Sequence, residues 1–252
     1  MHSDLPVPAV FAHRGASAYA PENTLAAFQL ALEQGADGIE LDVNLTTDGH
    51  VVVIHDSIVD RTTNGSGEVR DMELKTLKSF DAGSWFAPKF KGEKVPTLDE
   101  VLKLVGEDVF TNIELKPKYF ISPLDQLPGK VAALVEKHNL DNKIIFSSFN
   151  PWALIKIHRL LPSVPVGLLI FSGVLGSLAR LVVSGFVRYQ SLHLHFSAVT
   201  PVMLQRARAR GYRVFAYSVN QPEDIRRLFA LSIDGIITDD PLLALTIRQE
   251  VT

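Results

Sequence analysis

Eight short β-rich runs recur along the chain, separated by segments with helical periodicity. This alternation restricts the fold more than any single motif does. The runs are VFAHR (10–14), GIELDV (38–43), FTNIELK (110–116), IIFSSF (144–149), VGLLI (166–170), SLHLH (191–195), VFAYSV (214–219) and GIITD (235–239). The helical segments are punctuated. Thr97-Leu98-Asp99-Glu100 reads as a capping box, Asn150-Pro151, Thr200-Pro201 and Gln221-Pro222 place proline at a first helical position, and Gly35 and Gly211 read as terminators. Eight strands alternating with helices over 252 residues predict an α/β fold of the TIM (β/α)8 barrel type. A doubly wound sheet is the competing arrangement. It usually carries a glycine-rich fingerprint after its first strand, and HRGAS (13–17) is not that fingerprint.

One run breaks the alternation. VVVIH (51–55) follows GIELDV too closely for a parallel crossover, and Asp48-Gly49 between them is a two-residue hairpin signal. With those two residues at the turn centre, Thr47 pairs with His50 and Asp42 with His55, which brings the histidine to the carboxylate. Residues 57–96 then read as a small inserted cap within a single domain spanning 1–252.

The hairpin draws attention to charge where a core belongs. Alternation places Glu40 and Asp42 on one face of the second strand and Ile39, Leu41 and Val43 on the other. A barrel strand is covered on both sides, so the charged face points inward. Asn112, Glu114 and Lys116 share a face of the next strand. Glu40, Asp42 and Glu114 therefore meet at the C-terminal mouth, where clustered carboxylates call for either buried cations of the protein or a bound hard divalent ion, Mg²⁺ or Ca²⁺. His13 and Arg14 end the first strand beside them. His13 and His55 have the intrinsic pKa for proton transfer near neutral pH, and Arg14 and Lys116 can neutralise an anion. A metal, two cations and two histidines together point to phosphodiester cleavage.

Composition narrows the partners. A formal charge of −3 gives no electrostatic ground for nucleic-acid binding, and the chain has no cysteine for disulfide or thiolate chemistry. The opening MHSDLPVPAV lacks a basic segment followed by an apolar one, so a cytoplasmic protein is expected. The apolar stretch from Val164 to Val183 is interrupted by Arg180, two serines and three glycines. It reads as strand, loop and helix, with no transmembrane segment.

With these residues in place, the sequence resembles the glycerophosphodiester phosphodiesterase family, and is similar to its bacterial cytoplasmic members. The matching segments are AHRGASAYAPENTLAAF, IELDVNLTTDGHVVVIHD, RTTNGSGEV, DAGSWF, IELK, FSSF, YSVN and DGIITDDP, in family order from Val10 to Pro241. The resemblance implies a TIM barrel with a small segment inserted after the second strand and its hairpin. It implies metal ligands at Glu40, Asp42 and Glu114, acid/base catalysis by His13 and His55, and phosphate contacts from Arg14 and Lys116. The implied reaction is hydrolysis of a small-molecule glycerophosphodiester to sn-glycerol 3-phosphate and an alcohol, through attack by the glycerol 2-hydroxyl. Tyr217 stands where the family frequently has tryptophan, and is expected to pack an aromatic face on substrate. His195, near the mouth, is expected to meet substrate, and Phe149 and Trp85 either to pack on the glycerol or the alcohol or to be plain core. His193 is expected to be a hydrogen-bonded barrel residue, and His50 to lie at the surface. The loop after the fifth strand is unusually apolar, and Phe171, Val174 and Leu175 (within 171–175) are expected either to pack locally or to make a weak contact with lipid or an acyl chain.

Overall fold

The computed structural model describes residues 2–117, 125–170 and 189–251. Its strands are β1 (Ala9–His13), β2 (Gly38–Leu45), β3 (Val51–Val53), β4 (Phe110–Leu115), β5 (Ile144–Ser148), β6 (Val166–Ile170), β7 (Ser191–His195), β8 (Arg213–Tyr217) and β9 (Gly235–Thr238). All except β3 are parallel, and β1 pairs with both β2 and β9, so eight strands close into a barrel. The described helices are α1 (Leu25–Glu33), α2 (Leu74–Ser79), α3 (Leu98–Val105), α4 (Leu127–His138), α5 (Pro151–Leu160), α6 (Pro201–Arg208), α7 (Pro222–Ala230) and α8 (Pro241–Val251).

The helices begin where the sequence offers caps. The Thr24 hydroxyl accepts from Ala27 N, Thr97 and Glu100 form the reciprocal capping box, and Asn150 accepts from Trp152 N and Ala153 N ahead of Pro151. Such caps satisfy amide groups that a helix leaves without internal partners.

Alternate strand residues build two cores. Val10, Ala12, Ile39, Leu41, Val43, Ile113 and Leu115 face the helices in one large cluster. Ala9, Phe11, Phe110, Ile145, Phe215 and Ile237 face inward, with Leu5 of the N-terminal segment joining them. Burying each large apolar side chain stabilises the fold by roughly 1.5–3 kcal/mol. On β2 and β4 the inward positions farther along the strands are polar: Glu40, Asp42, Asn112 and Glu114.

The hairpin forms with a register that differs by one residue from the sequence expectation. Val43 pairs with Val53, Asn44 with Val52 and Leu45 with Val51. The turn therefore holds three residues, Thr47, Asp48 and Gly49, with Gly49 at φ +81°, as a bulged three-residue loop requires. Asp48 does not act as a central residue of a two-residue turn. Its Oδ1 accepts from the Thr46 hydroxyl at 2.6 Å and from Leu74 N at 3.1 Å, which favours the wider loop and ties it to α2. A one-residue slip exchanges the faces of a strand. Val51 and Val53 thus join the helix-facing core, while Val52 and Ile54 join a separate cluster with Val59, Val69, Leu77, Ala82 and Val95. Ile54 N, not His55, donates to Asp42 O at 3.0 Å. His55 reaches the mouth from the loop beyond β3.

His193 of β7 lies inside the barrel with 1% exposure. Its Nε2 lies 3.1 Å from Ser191 Oγ and its ring tilts against Phe215. Gly167 makes room for it, since a Cβ there would lie 2.3 Å from Nε2. Burial pushes the His193 pKa down to about 3. The unfolded chain, with an ordinary histidine near 6.5, therefore binds a proton that the folded chain refuses. The neutral ring's contribution is intact above pH 6.5 and is lost as pH falls towards 3. Between pH 7 and pH 5 this single group should remove about 2 kcal/mol of stability. In urea titrations, His193→Gln should lose about that much less than the native chain over the same interval, whatever its stability at pH 7.

Candidate active site

The carboxylates of Glu40, Asp42 and Glu114 converge at the mouth. One ligand oxygen from each lies within 4.8 Å of the others, and all three residues are buried. The strand register explains this: Asp42 sits opposite Glu114, and Glu40 opposite Asn112. Burial, with Asp42 and Glu114 as further negative neighbours, raises the Glu40 pKa well above the carboxylate range. Burial likewise lifts Glu114 to about 7, against the opposing pull of Lys116. Asp42 behaves differently. Burial works against its charge, but Lys116 and Arg14 outweigh it and hold its pKa well below the usual range. The Lys116 ammonium lies 2.7 Å from Glu114 Oε1 and 3.2 Å from Asp42 Oδ1.

An all-oxygen donor set of three buried carboxylates suits a hard divalent cation. Asn112 adds to the fit. Its Oδ1 is buried next to Glu40 and has no hydrogen-bond partner among the described residues. Glu40, Asp42 and Glu114 thus form a candidate site for a divalent ion.

The β1–α1 loop brings the second cation. Arg14 adopts φ +56° and Asn23 the same value, left-handed backbone that non-glycine residues seldom take. Asn23 N donates to Arg14 O at 2.9 Å, closing the loop on itself. This folds Arg14 back over the mouth. Its backbone N donates to Glu40 Oε2 at 3.2 Å, its Nε lies 3.4 Å from Asp42 Oδ2, and its Nη1 donates to Glu22 Oε1 at 2.8 Å. The Asn23 amide donates to Asp42 Oδ2 at 3.0 Å.

Two histidines flank the cluster, and each leans on an aspartate through Nδ1. His13 Nδ1 lies 2.5 Å from Asp239 Oδ1, and His55 Nδ1 lies 2.6 Å from Asp56 Oδ1. Asp239 is itself held by Asn220 Nδ2 at 2.5 Å and the Ser17 hydroxyl at 3.2 Å. Burial opposes ionisation of Asp239, yet His13, Asn220 and Ser17 together outweigh it and keep the pKa low. For Asp56, burial is likewise outweighed, here by the bonds from Arg61 and His55. An ionised carboxylate accepts, so each Nδ1 carries the proton and each Nε2 is the ring atom available for exchange. Burial lowers the His55 pKa below the ordinary histidine value, although the Asp42 charge opposes this.

The glycerophosphoryl diester phosphodiesterase family model matches residues 13–243. A glycerophosphodiester phosphodiesterase of Caldanaerobacter subterraneus subsp. tengcongensis is 42% identical over 92% of this chain and 94% of its own length. One from Bacillus subtilis is 36% identical over 91% of this chain and 83% of its own length. An Oleispira antarctica phosphodiesterase, solved with the product sn-glycerol-3-phosphate, superimposes with a TM-score of 0.87 at 31% identity, covering 96% of this chain and 97% of that one. The chain belongs to the glycerophosphoryl diester phosphodiesterase family. It is an enzyme, a hydrolase of glycerophosphodiesters built on a TIM barrel.

Around this phosphodiesterase mouth the other expected residues take varied positions. Tyr217 and Phe149 pack edge to face at 6.3 Å, and His195 meets Tyr217 at 6.0 Å, so the three form one aromatic rim. The Tyr217 hydroxyl donates to Ile170 O at 3.0 Å, and burial near Glu114 raises its pKa to about 12. His195 Nδ1 is engaged with Ser197 Oγ at 2.7 Å. His50 is exposed, with its ring near Asp48. Trp85 packs against Phe86 and donates to Ala82 O, both within the 57–96 segment. Phe171, Val174 and Leu175 lie outside the described residues. A groove of about 750 Å³ runs from His55 and Lys116 along Asn44, Thr46, Ser57 and Arg70. Among the described residues, no helix is long and apolar enough to cross a membrane.

Sequence reasoning assigned no task to Asp239, Asn220, Asp56, Glu22, Asn23 or Arg61. Asp239 was within reach of the rule that found Glu114: it continues the inward parity of Gly235 and Ile237 on a strand adjacent to β1. The others lie in loops, where no periodicity signals direction.

Lys116 offsets two of the buried carboxylates, and its removal leaves them without that cation. Lys116→Met should destabilise the metal-free protein by about 2–3 kcal/mol, less than a full buried-charge penalty because Glu114 can take up a proton. Added Mg²⁺ or Ca²⁺ should recover much of the loss in thermal melts. An unchanged melting temperature would show that Lys116 does not balance the cluster.

Proposed function

We propose that this enzyme is metal-dependent and splits a glycerophosphodiester into sn-glycerol 3-phosphate and an alcohol, with His13 and His55 moving the protons. The observation that carries this reading is the pair of aspartate-held histidines on either side of one buried carboxylate cluster that also holds Arg14 and Lys116. The product named for the Oleispira antarctica relative supports the glycerol 3-phosphate end. The single-barrel reading of residues 1–252, with 57–96 as an inserted cap, belongs to the same proposal.

Glu40, Asp42 and Glu114 would hold the ion, which would supply Lewis acidity and positive charge when bound. Mg²⁺ is the ion favoured for a cytoplasmic setting, with Ca²⁺ the alternative. Arg14 and Lys116 lie at the same cluster and neutralise the phosphate oxygens. One histidine accepts at Nε2 the proton of the glycerol 2-hydroxyl as that oxygen attacks phosphorus. The other donates from Nε2 to the departing alkoxide, so an alcohol leaves and a five-membered cyclic phosphate remains. Water then opens the ring, with the proton roles reversed. Phe149, Tyr217 and His195 form the wall against which the organic part of the substrate packs.

The test is release of glycerol 3-phosphate from glycerophosphocholine by chelator-treated protein, with Mg²⁺ or Ca²⁺ restored singly. Turnover should require the ion and should fall at least about 1,000-fold in Glu114→Ala, in line with loss of electrostatic stabilisation at the reacting centre. Turnover that is indifferent to chelation would overturn the metal assignment. A lysophospholipid run in parallel reports whether an acyl chain is accepted at the alcohol end.

A further inference from the structure

One continuous chain of charged side chains passes through Arg61 and Glu22, which have no task in this scheme. It starts at His55, whose Nδ1 bonds to Asp56 Oδ1 at 2.6 Å. The other oxygen of Asp56 accepts from Arg61 Nε at 2.6 Å. Arg61 Nη1 and Nη2 then donate to the two oxygens of Glu22 at 2.7 and 2.8 Å. Glu22 Oε1 also accepts from Arg14 Nη1 at 2.8 Å, and Arg14 Nε faces Asp42. The chain thus begins on one side of the carboxylate cluster and returns to it on the other.

We propose that Arg61 and Glu22 are positioning residues, a clamp that fixes the His55 imidazole and the Arg14 guanidinium together. The inference rests on the roles given above to His55 and Arg14. Arg61 uses three N–H groups on two carboxylates, a planar fork that no lysine reproduces. Each of those carboxylates turns its other contact towards the site. Asp56 has one oxygen occupied by Arg61, so its remaining oxygen meets His55 in one orientation. Glu22, shielded at 13% side-chain exposure, grips one edge of Arg14 and so aims the rest of the guanidinium at the mouth.

The clamp is more than a fastening of the inserted segment. That segment closes on itself through Asp60, which accepts from Ser66 Oγ at 3.1 Å and Gly67 N at 3.0 Å. It also owns an apolar cluster around Val59, Val69 and Leu77. Arg61 is 45% exposed at its side chain, where an isolated ion pair contributes little to stability. The two charge pairs it completes nevertheless end on His55 and Arg14. A carboxylate shared by two arginines, Glu22, links residues that the chain separates widely: 14, 22 and 61.

The experiment measures kcat and KM for glycerophosphocholine with the full chain and added Mg²⁺, for the native enzyme, Arg61→Gln, Glu22→Gln and the double variant. Each single variant should lower kcat about 10- to 100-fold, the usual loss when a partner behind a reacting group is removed. KM should change less than kcat. The double variant should be no more than about threefold worse than the poorer single one, because both changes open the same clamp. Melting temperatures should stay within about 3 °C of native. In Arg61→Ala, added guanidinium at a non-denaturing concentration should restore part of kcat, and sodium chloride of equal ionic strength should not. Native-like kcat in either single variant overturns the inference, as does a double variant whose losses multiply. A drop in activity that follows only a large fall in melting temperature also overturns it. If the native chain itself shows no turnover, the functional reading falls and this inference with it. Active native enzyme with unaltered variants removes this inference alone.

Discussion

Three carboxylates held within 4.8 Å inside a barrel mouth set the terms for everything around them. Removing such charges from water costs several kcal/mol each after relaxation, and their mutual repulsion adds to it. The chain answers in three ways. Lys116 and Arg14 bring positive charge to Asp42, Asn23 donates a hydrogen bond to it, and Glu40 and Glu114 retain raised proton affinity. The inward polar faces of β2 and β4 bring the carboxylates together, and the left-handed turn at Arg14 lies beside them. The apolar inner layer of Phe11, Phe110, Ile145 and Phe215 supplies the rigid base on which it can be met.

The parts of this arrangement that were legible beforehand are those governed by a period. Parity along GIELDV and FTNIELK put Glu40, Asp42, Glu114 and Lys116 on one inward face; the observed register places the three carboxylates there, and the Lys116 ammonium meets Asp42 and Glu114. The capping box at Thr97 and the prolines opening α5, α6 and α7 were legible because caps are local chemistry. His55 shows the limit. It was expected near Asp42 through a two-residue turn, whereas a three-residue loop shifts the pairing and His55 arrives from beyond the strand. The deciding group was the Asp48 side chain, which bonds outward to Leu74 N, and no hairpin rule contains that contact.

Loops hide the rest. Glu22 and Arg61 sit in two loops 39 positions apart, and only the folded chain reveals that they share charge. The two histidines nonetheless converge on one solution, an aspartate on Nδ1, reached from opposite ends of the architecture. Asp56 is the next residue along the chain from His55, while Asp239 lies 226 residues from His13 and reaches it from the neighbouring strand. Local and long-range folding thus supply equivalent chemistry to the two sides of the site.

That second contact carries a consequence for biogenesis. His13 and Asp239 are 226 residues apart and sit on β1 and just beyond β9, the strands whose pairing shuts the cylinder. While β9 is missing, β1 and β8 are open edges of the kind that invite intermolecular pairing, and His13 has no aspartate behind it. The same docking event seals the edges and completes the dyad. A nascent or incompletely folded molecule is therefore open to intermolecular pairing for as long as it lacks the His13–Asp239 contact, and that contact reports ring closure.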